Sequence, residues 1–422
     1  MFEKKTTSRW TRTLALALLC LFVWTSGTLA AEPDKSKALE RLDAYAAKML
    51  ENRPFLVGYP INQDTHMKEF YEWYLKSGLY DASMNNVGDP RKGTTLILNT
   101  HEFENEVIDY FAPQFGFSPG NYWGFVTASG TDGNLHGMYF GKKVLAGKSD
   151  LPPIVYVSDE AHYSIKKLAD VLGMELRLIK SQPMGQMDLT EFKAKLDPKR
   201  PALVVVALGT TFKGAIDDQN AINAILAEAN PPAVYRHLDA ALFGSILGFL
   251  SDEVNDLVDA GKTHFDSIAV SGHKFWGFDE PMGIFISTMT VRNSINPFKV
   301  EYLKDAVPTV TCSRNALGAL KFWWKITFTP KETFEKEAQT LLENARYLYD
   351  KLKERNIKAW LNENSNTVFF QRPGDEIMNK YNLAPDVSPD FGDLAHLIVM
   401  QHVTKDIINT FVAEMDKDIN KK

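Results

Sequence analysis

Cysteine is nearly absent from this chain of 422 residues: the two that occur are Cys20 and Cys312. Two cysteines so far apart cannot build a zinc-ligand array, and no metal site is expected. An excess of positive charge is also missing. The net charge of −6 gives no electrostatic reason to expect nucleic acid or an anionic membrane surface as a partner. There is no internal repeat and no low-complexity tract. What remains, 45% hydrophobic and 24% charged, is ordinary for a soluble globular protein with a large core.

The first thirty residues differ from the rest. Lys4, Lys5, Arg9 and Arg12 form a basic stretch, Leu14 to Trp24 an apolar one, and Thr28-Leu29-Ala30 offers a small-residue cleavage site before or near Ala31. The apolar run is short for a transmembrane span. Cys20 follows Leu19, which fits a lipoprotein signal poorly. The expectation is a signal peptide and an exported protein, periplasmic or secreted, with no membrane association in the mature form. A membrane anchor through the uncleaved segment is the alternative. Cleavage would leave Cys312 alone and exclude an internal disulfide.

Residues 35–53 place Leu39, Leu42, Tyr45, Ala46, Met49 and Leu50 at helical intervals and predict an amphipathic helix ending before Pro54. From about residue 121 short apolar runs alternate with helical segments. Strands are predicted at 123–127, 154–157, 175–179, 203–207, 234–238 and 267–270, with helices at 134–145, 164–172 and 220–229. This alternation implies an α/β fold with a mainly parallel sheet covered by helices on both faces. Ligands of such sheets bind at the carboxyl ends of the strands. After about Thr311 a long helix, 331–354, and fewer strands suggest a smaller α+β domain. The expected division is a leader at 1–30, an N-terminal segment at 31–95, a large domain at 96–310 and a small domain at 311–422.

The residues with chemical potential fall at the predicted strand ends. Ser271-Gly272-His273-Lys274 follows the run Ile268-Ala269-Val270. A lysine at the end of a buried strand suits a Schiff base, because burial favours the neutral, nucleophilic amine. Asp239, in His237-Leu238-Asp239-Ala240-Ala241, is a second strand-end group. A lysine to hold an aldehyde and a carboxylate to pair with a pyridinium nitrogen are what pyridoxal phosphate requires. Ala240 and Ala241 leave room for a flat ring. Ser129-Gly130-Thr131-Asp132-Gly133-Asn134 joins a strand to a helix, where glycines, hydroxyls and free N–H groups suit a phosphate, although a capped turn reads the same way. His162, before Tyr163-Ser164, sits where an imidazole can stack on a ring or simply start a helix. Gly209-Thr210-Thr211 is a turn that brings Thr211 to the same edge.

Taken together, Gly130-Thr131-Asp132-Gly133-Asn134, His162-Tyr163-Ser164, Gly209-Thr210-Thr211, Asp239-Ala240-Ala241 and Ser271-Gly272-His273-Lys274 resemble the group II pyridoxal-phosphate decarboxylases. Within that group the chain is most similar to bacterial histidine decarboxylases and plant serine decarboxylases. The likeness extends to Gly58-Tyr59-Pro60, Asn86-Val87-Gly88-Asp89-Pro90, Ser181-Gln182-Pro183, Gly214-Ala215-Ile216-Asp217-Asp218 and Ser313-Arg314-Asn315. The resemblance implies the aspartate-aminotransferase fold, pyridoxal 5'-phosphate as cofactor, an amino acid as substrate and a homodimer. It also implies that Lys274 carries the cofactor, Asp239 pairs with its ring nitrogen, and His162 and Ala241 flank the ring. Ser129, Gly130, Thr131, Ser271 and His273 would then hold the phosphate, with Thr211 in the cofactor-binding set. Tyr302 is a candidate acid for reprotonating the product carbon.

Two segments depart from the resemblance. Ala316-Leu317 stands where relatives carry Gly-His after Ser-Arg-Asn, and Trp276 to Gly283 replaces a Pro- and Cys-containing loop. Within that loop Asp279-Glu280 reads as a solvated acidic pair, with recognition of a cationic substrate side chain as the alternative. Decarboxylation of histidine to histamine is the favoured expectation, and serine or another amino acid the next. An aminotransferase using Arg372 to grip a carboxylate, and a non-catalytic exported binding protein, are the other readings.

Overall fold

Residues 202–207, Ala-Leu-Val-Val-Val-Ala, are all buried, which requires a strand covered on both faces. Leu203 and Val205 join one hydrophobic cluster, with Trp123, Phe140 and Phe285. Ala202, Val204 and Val206 join the other, with Ile268, Phe243 and Phe192. This period-two division places the sheet between two cores.

The computed structural model describes residues 34–295 and 298–420, so the leader at 1–30 lies outside the described residues. The chain separates into two compact units at Arg53. In the first, helix α1 (Lys35–Asn52) begins at Asp34, whose carboxylate accepts from the backbone N–H of Ser36 and Lys37. None of its residues is buried, and Leu39, Leu42, Tyr45, Met49 and Leu50 remain exposed.

The second unit, Pro54–Lys422, holds the sheet. Its strands are β1 (Tyr122–Thr127), β2 (Ile154–Ser158), β3 (Glu175–Ile179), β4 (Ala202–Ala207), β5 (Val234–Asp239), β6 (Ser267–Ser271) and β7 (Gly283–Thr288). They lie in the order β1-β7-β6-β5-β4-β2-β3. Strand β7 is antiparallel to both neighbours, and the other pairings are parallel. Six strands therefore end at one edge, which gathers the turns that follow them. Helices α2 (Gly130–Ala146) and α3 (Tyr163–Val171) cover one face, and Gln219–Ala229 the other.

Helix α2 lies unusually close to the sheet because glycines face it. A Cβ on Gly133 would sit 2.8 Å from the Ala269 Cβ, and one on Gly137 2.2 Å from His237 Nδ1. Beyond residue 311 the helices Ala316–Phe328, Lys331–Glu354 and Lys405–Ile419 accompany a four-stranded antiparallel sheet built from Ala359–Leu361, Thr367–Gln371, Ala384–Ser388 and Gly392–Ile398.

The six strands and the long helix expected from the pattern are present. Strand β7 and the helix Ala316–Phe328 escaped prediction. Gly283-Ile284-Phe285-Ile286 is a short apolar run after a loop rich in aromatics, and the helix carries only two charged residues, Lys321 and Lys325, both buried, to mark its period.

Candidate active site

Each turn at the sheet edge is set by local chemistry. Ser129 caps α2, its hydroxyl accepting from the Asp132 N–H at 3.2 Å. Gly130 brings the backbone against two neighbours: a Cβ there would lie 2.3 Å from Ser271 Oγ and 3.2 Å from the Ala241 Cβ. His162 caps α3, accepting at Nδ1 from the Ser164 N–H at 3.3 Å, with the Ser164 hydroxyl at 2.7 Å from the same nitrogen. These contacts place its proton on Nε2. Gly209, at φ 95°, turns the chain after β4, and Thr210 then accepts from the Ala215 N–H at 2.9 Å. Asp217 closes the same turn by accepting from Ala207 at 2.9 Å and Met187 at 2.7 Å. Its burial pushes the carboxyl up to about 6.

These turns enclose a cavity of about 210 Å³. Ser129, Gly130, Thr131, His162, Thr211, Asp239, Ala241, Ser271, His273 and Lys274 all line it, as do Pro60, Asn134 and Pro281. Lys274 keeps contact with the cavity, but the surrounding protein lowers its amine pKa against the opposing influence of Asp239. No hydrogen bond engages that amine among the described residues. His162 is held neutral chiefly by burial, with Asp239 opposing and Lys274 adding to the effect. Burial, and then Lys274, lowers His273 as well.

The residues fit pyridoxal phosphate. Hydroxyl and imidazole donors gather at the glycine-lined end, Ala241 leaves room for a ring, and a carboxylate and a desolvated amine share the cavity.

Tyr302 does not line the cavity: it is 76% exposed, and its carbonyl accepts from the Thr95 hydroxyl. Arg372 lies outside it too, paired with Asp375 at 2.7 Å, so the carboxylate grip of the aminotransferase reading is not formed. Ser181 and Gln182 line a neighbouring cavity of about 620 Å³ that shares only Thr211 with the first. Asn134, Pro60 and Pro281 had no assigned role in the sequence, because nothing in their spacing reveals that the fold brings them to one wall.

The acidic pair is not simply solvated. Lys321, whose side chain is 2% exposed, donates to Asp279 at 2.9 Å, Glu280 at 3.2 Å and the Tyr71 hydroxyl at 2.7 Å, while Tyr71 donates to Asp279. Burial works against the Lys321 ammonium, but these partners outweigh it and raise its pKa. Asn315, which immediately precedes the departing pair Ala316-Leu317, also donates to Glu280, at 3.4 Å. At the lysine turn, the Met282 carbonyl accepts from the Gly272 N–H at 2.6 Å and from His273 Nδ1 at 3.3 Å. The loop 275–282 is thus tied to the Lys274 turn through Met282 and to Lys321 through Asp279 and Glu280.

Residues 143–371 match the family model of the pyridoxal-dependent decarboxylase conserved domain. Serine decarboxylase 1 of Oryza sativa subsp. japonica is 34% identical over 378 residues, which is 89% of this chain and 74% of that protein. Histidine decarboxylase of Morganella morganii is 33% identical over 369 residues, covering 86% of this chain and 92% of that one. Among solved structures, L-methionine decarboxylase from Streptomyces sp. 590 superposes with a TM-score of 0.78 at 22% identity, over 92% of this chain and 96% of the other. That last likeness concerns the fold.

Proposed function

This chain belongs to the pyridoxal-dependent decarboxylase family, its cofactor is pyridoxal phosphate and its reaction is the decarboxylation of an amino acid; from that premise we propose that L-histidine is the substrate and histamine the product. The observation that carries the reading is the pair of carboxylates at 279 and 280 sharing one ammonium, which leaves a net negative charge directly before Pro281 of the cavity wall. Serine is the second reading, favoured by the rice relative. Measuring carbon dioxide release with each of the twenty amino acids separates them: release from serine and not from histidine refutes the first.

When bound, pyridoxal phosphate supplies an aldehyde for amines and a pyridinium ring that accepts the electrons of the breaking Cα–carboxylate bond. In the proposed mechanism Lys274, whose amine burial keeps nucleophilic, would be the residue that holds the cofactor aldehyde. Asp239 keeps the ring nitrogen protonated and balances its charge electrostatically. Neutral His162 and Ala241 would flank the ring, and Ser129, Gly130, Thr131, Ser271 and His273 would hold the phosphate. The decarboxylated carbon must then receive a proton. Tyr302 remains the candidate donor, and its exposed position requires that its segment meet the cavity in the assembled enzyme. We further propose a homodimer, in keeping with apolar residues such as Ile97 and Tyr80 left 89% and 60% exposed, and export through residues 1–30. Replacing Lys274 with Ala abolishes both the visible cofactor absorbance and turnover. Retained steady turnover would sink the assignment.

A further inference from the structure

Behind Asp239 runs a buried chain of polar side chains. The Tyr235 hydroxyl donates to Ser267 Oγ at 2.8 Å, Ser267 Oγ lies 2.9 Å from His237 Nδ1, and His237 Nε2 lies 2.9 Å from Asn134 Oδ1. Tyr235, Ser267 and His237 are fully buried, and Asn134 is 2% exposed. With the Asn134 amide oxygen facing His237, the donors and acceptors run in one direction. An amide oxygen only accepts, so Nε2 must carry the proton; Nδ1 then accepts from the Ser267 hydroxyl, which itself accepts from Tyr235. Burial keeps the His237 imidazole neutral, lowering it to about 4. The far end of the chain is therefore the Asn134 Nδ2, which no hydrogen bond occupies among the described residues, on a side chain that lines the cavity.

The register brings Asn134 to the level of Asp239, and both line the cavity. His237 and Asp239 are two residues apart on β5 and so share a face, toward α2. Gly137 makes room for His237, and Gly130, nearly two turns earlier on α2, meets Ala241. Asn134 lies between those contacts, level with Asp239. We propose that Asn134 is a positioning residue: the chain from Tyr235 through Ser267 and His237 holds its amide N–H free at the cavity, and in the cofactor-loaded enzyme that N–H donates to the Asp239 carboxylate and keeps it aimed at the ring. This rests on the proposed pairing of Asp239 with that ring.

The test uses the full chain stripped of cofactor and titrated with pyridoxal phosphate, together with a pH titration of the visible absorbance of the reloaded protein. Asn134→Ala removes the donor without adding charge. The expected result is about ten- to a hundredfold weaker cofactor binding, the loss of one hydrogen bond to a charged group, and a displaced absorbance midpoint. His237→Phe acts in the same direction, and His237→Gln, which keeps a donor for Asn134, restores binding. The Asn134→Ala/His237→Phe double variant is no worse than the stronger single one, because His237 acts through Asn134. If His237→Phe fails to fold, Asn134→Ala against His237→Gln still decides. Wild-type affinity and absorbance in a folded Asn134→Ala protein overturn the proposal, as do additive effects in the double variant. Asp239→Asn is measured alongside. If it too binds the cofactor normally, the pairing itself is wrong; if it binds weakly while Asn134→Ala does not, only the present inference falls.

Discussion

Replacing Lys321 with Met keeps the aliphatic stem and removes the ammonium that holds Tyr71, Asp279 and Glu280 together. Three hydrogen bonds are lost, at 2.7, 2.9 and 3.2 Å. A hydrogen bond to a charged group contributes about 1.5–3 kcal/mol when buried. The lysine is buried, but the Asp279 and Glu280 side chains are 33% and 36% exposed, so water re-solvates the freed carboxylates and most of that sum is discounted. The net expectation is a loss of about 2 kcal/mol, roughly thirtyfold in the folding equilibrium. Urea unfolding followed by tryptophan fluorescence measures it. Because Pro281 of the same loop lines the cavity, KM for the amino acid should rise while the cofactor absorbance stays as in the wild type. In an Asp279→Asn background the same substitution should cost less, since the charge it strands is already gone. A stability change below about 0.5 kcal/mol, with KM unaltered, would refute the view that Lys321 anchors this loop.

Gly137→Ala should lower the melting temperature by an overpacking cost of about 1–3 kcal/mol, since its Cβ would meet His237 Nδ1 at 2.2 Å; Gly147→Ala, with nothing nearer than 3.5 Å, should be neutral, and equal effects would contradict the close helix–sheet approach. His237 titrates at about 4 when folded against an ordinary 6.5. Between those values the unfolded chain binds the proton and the folded one does not, so stability is lost as pH falls through this window, by up to roughly 3 kcal/mol. Urea midpoints at pH 7 and pH 5 check this, and a His237→Gln variant with an undiminished pH dependence would refute the assignment. If residues 1–30 direct export, protein recovered from the secreted or periplasmic fraction should begin near Ala31 by intact mass, whereas a full-length product there argues for an anchor.

The candidate site was legible to the extent that its chemistry sits at strand ends. Ser129 to Thr131, His162, Thr211, Asp239 and Ser271 to Lys274 each follow a strand whose apolar run is plain in the sequence, and a parallel sheet brings such ends to one edge. Asn134 was visible as a residue but not as a donor. Its orientation depends on His237 and Ser267, which are distant in sequence and neighbours only once β5 and β6 pair. Lys321 was missed for a related reason: it is a buried lysine in a mainly apolar helix, and its partners Asp279 and Tyr71 are 42 and 250 residues away.

By itself the sequence determined the alternation of strands and helices, the lysine and aspartate that suit a pyridine cofactor, and the two segments that depart from related enzymes. These are local properties, carried by hydrophobic period and by residue type at a turn. The tertiary structure decided that Lys321 holds one of those segments through Asp279 and Glu280, that Arg372 is engaged elsewhere, and that Asn134 joins both the cavity and the buried chain from Tyr235. Each of these rests on the distance between residues far apart in the chain, and that distance is set by strand order and by the close seating of a glycine-faced helix on the sheet.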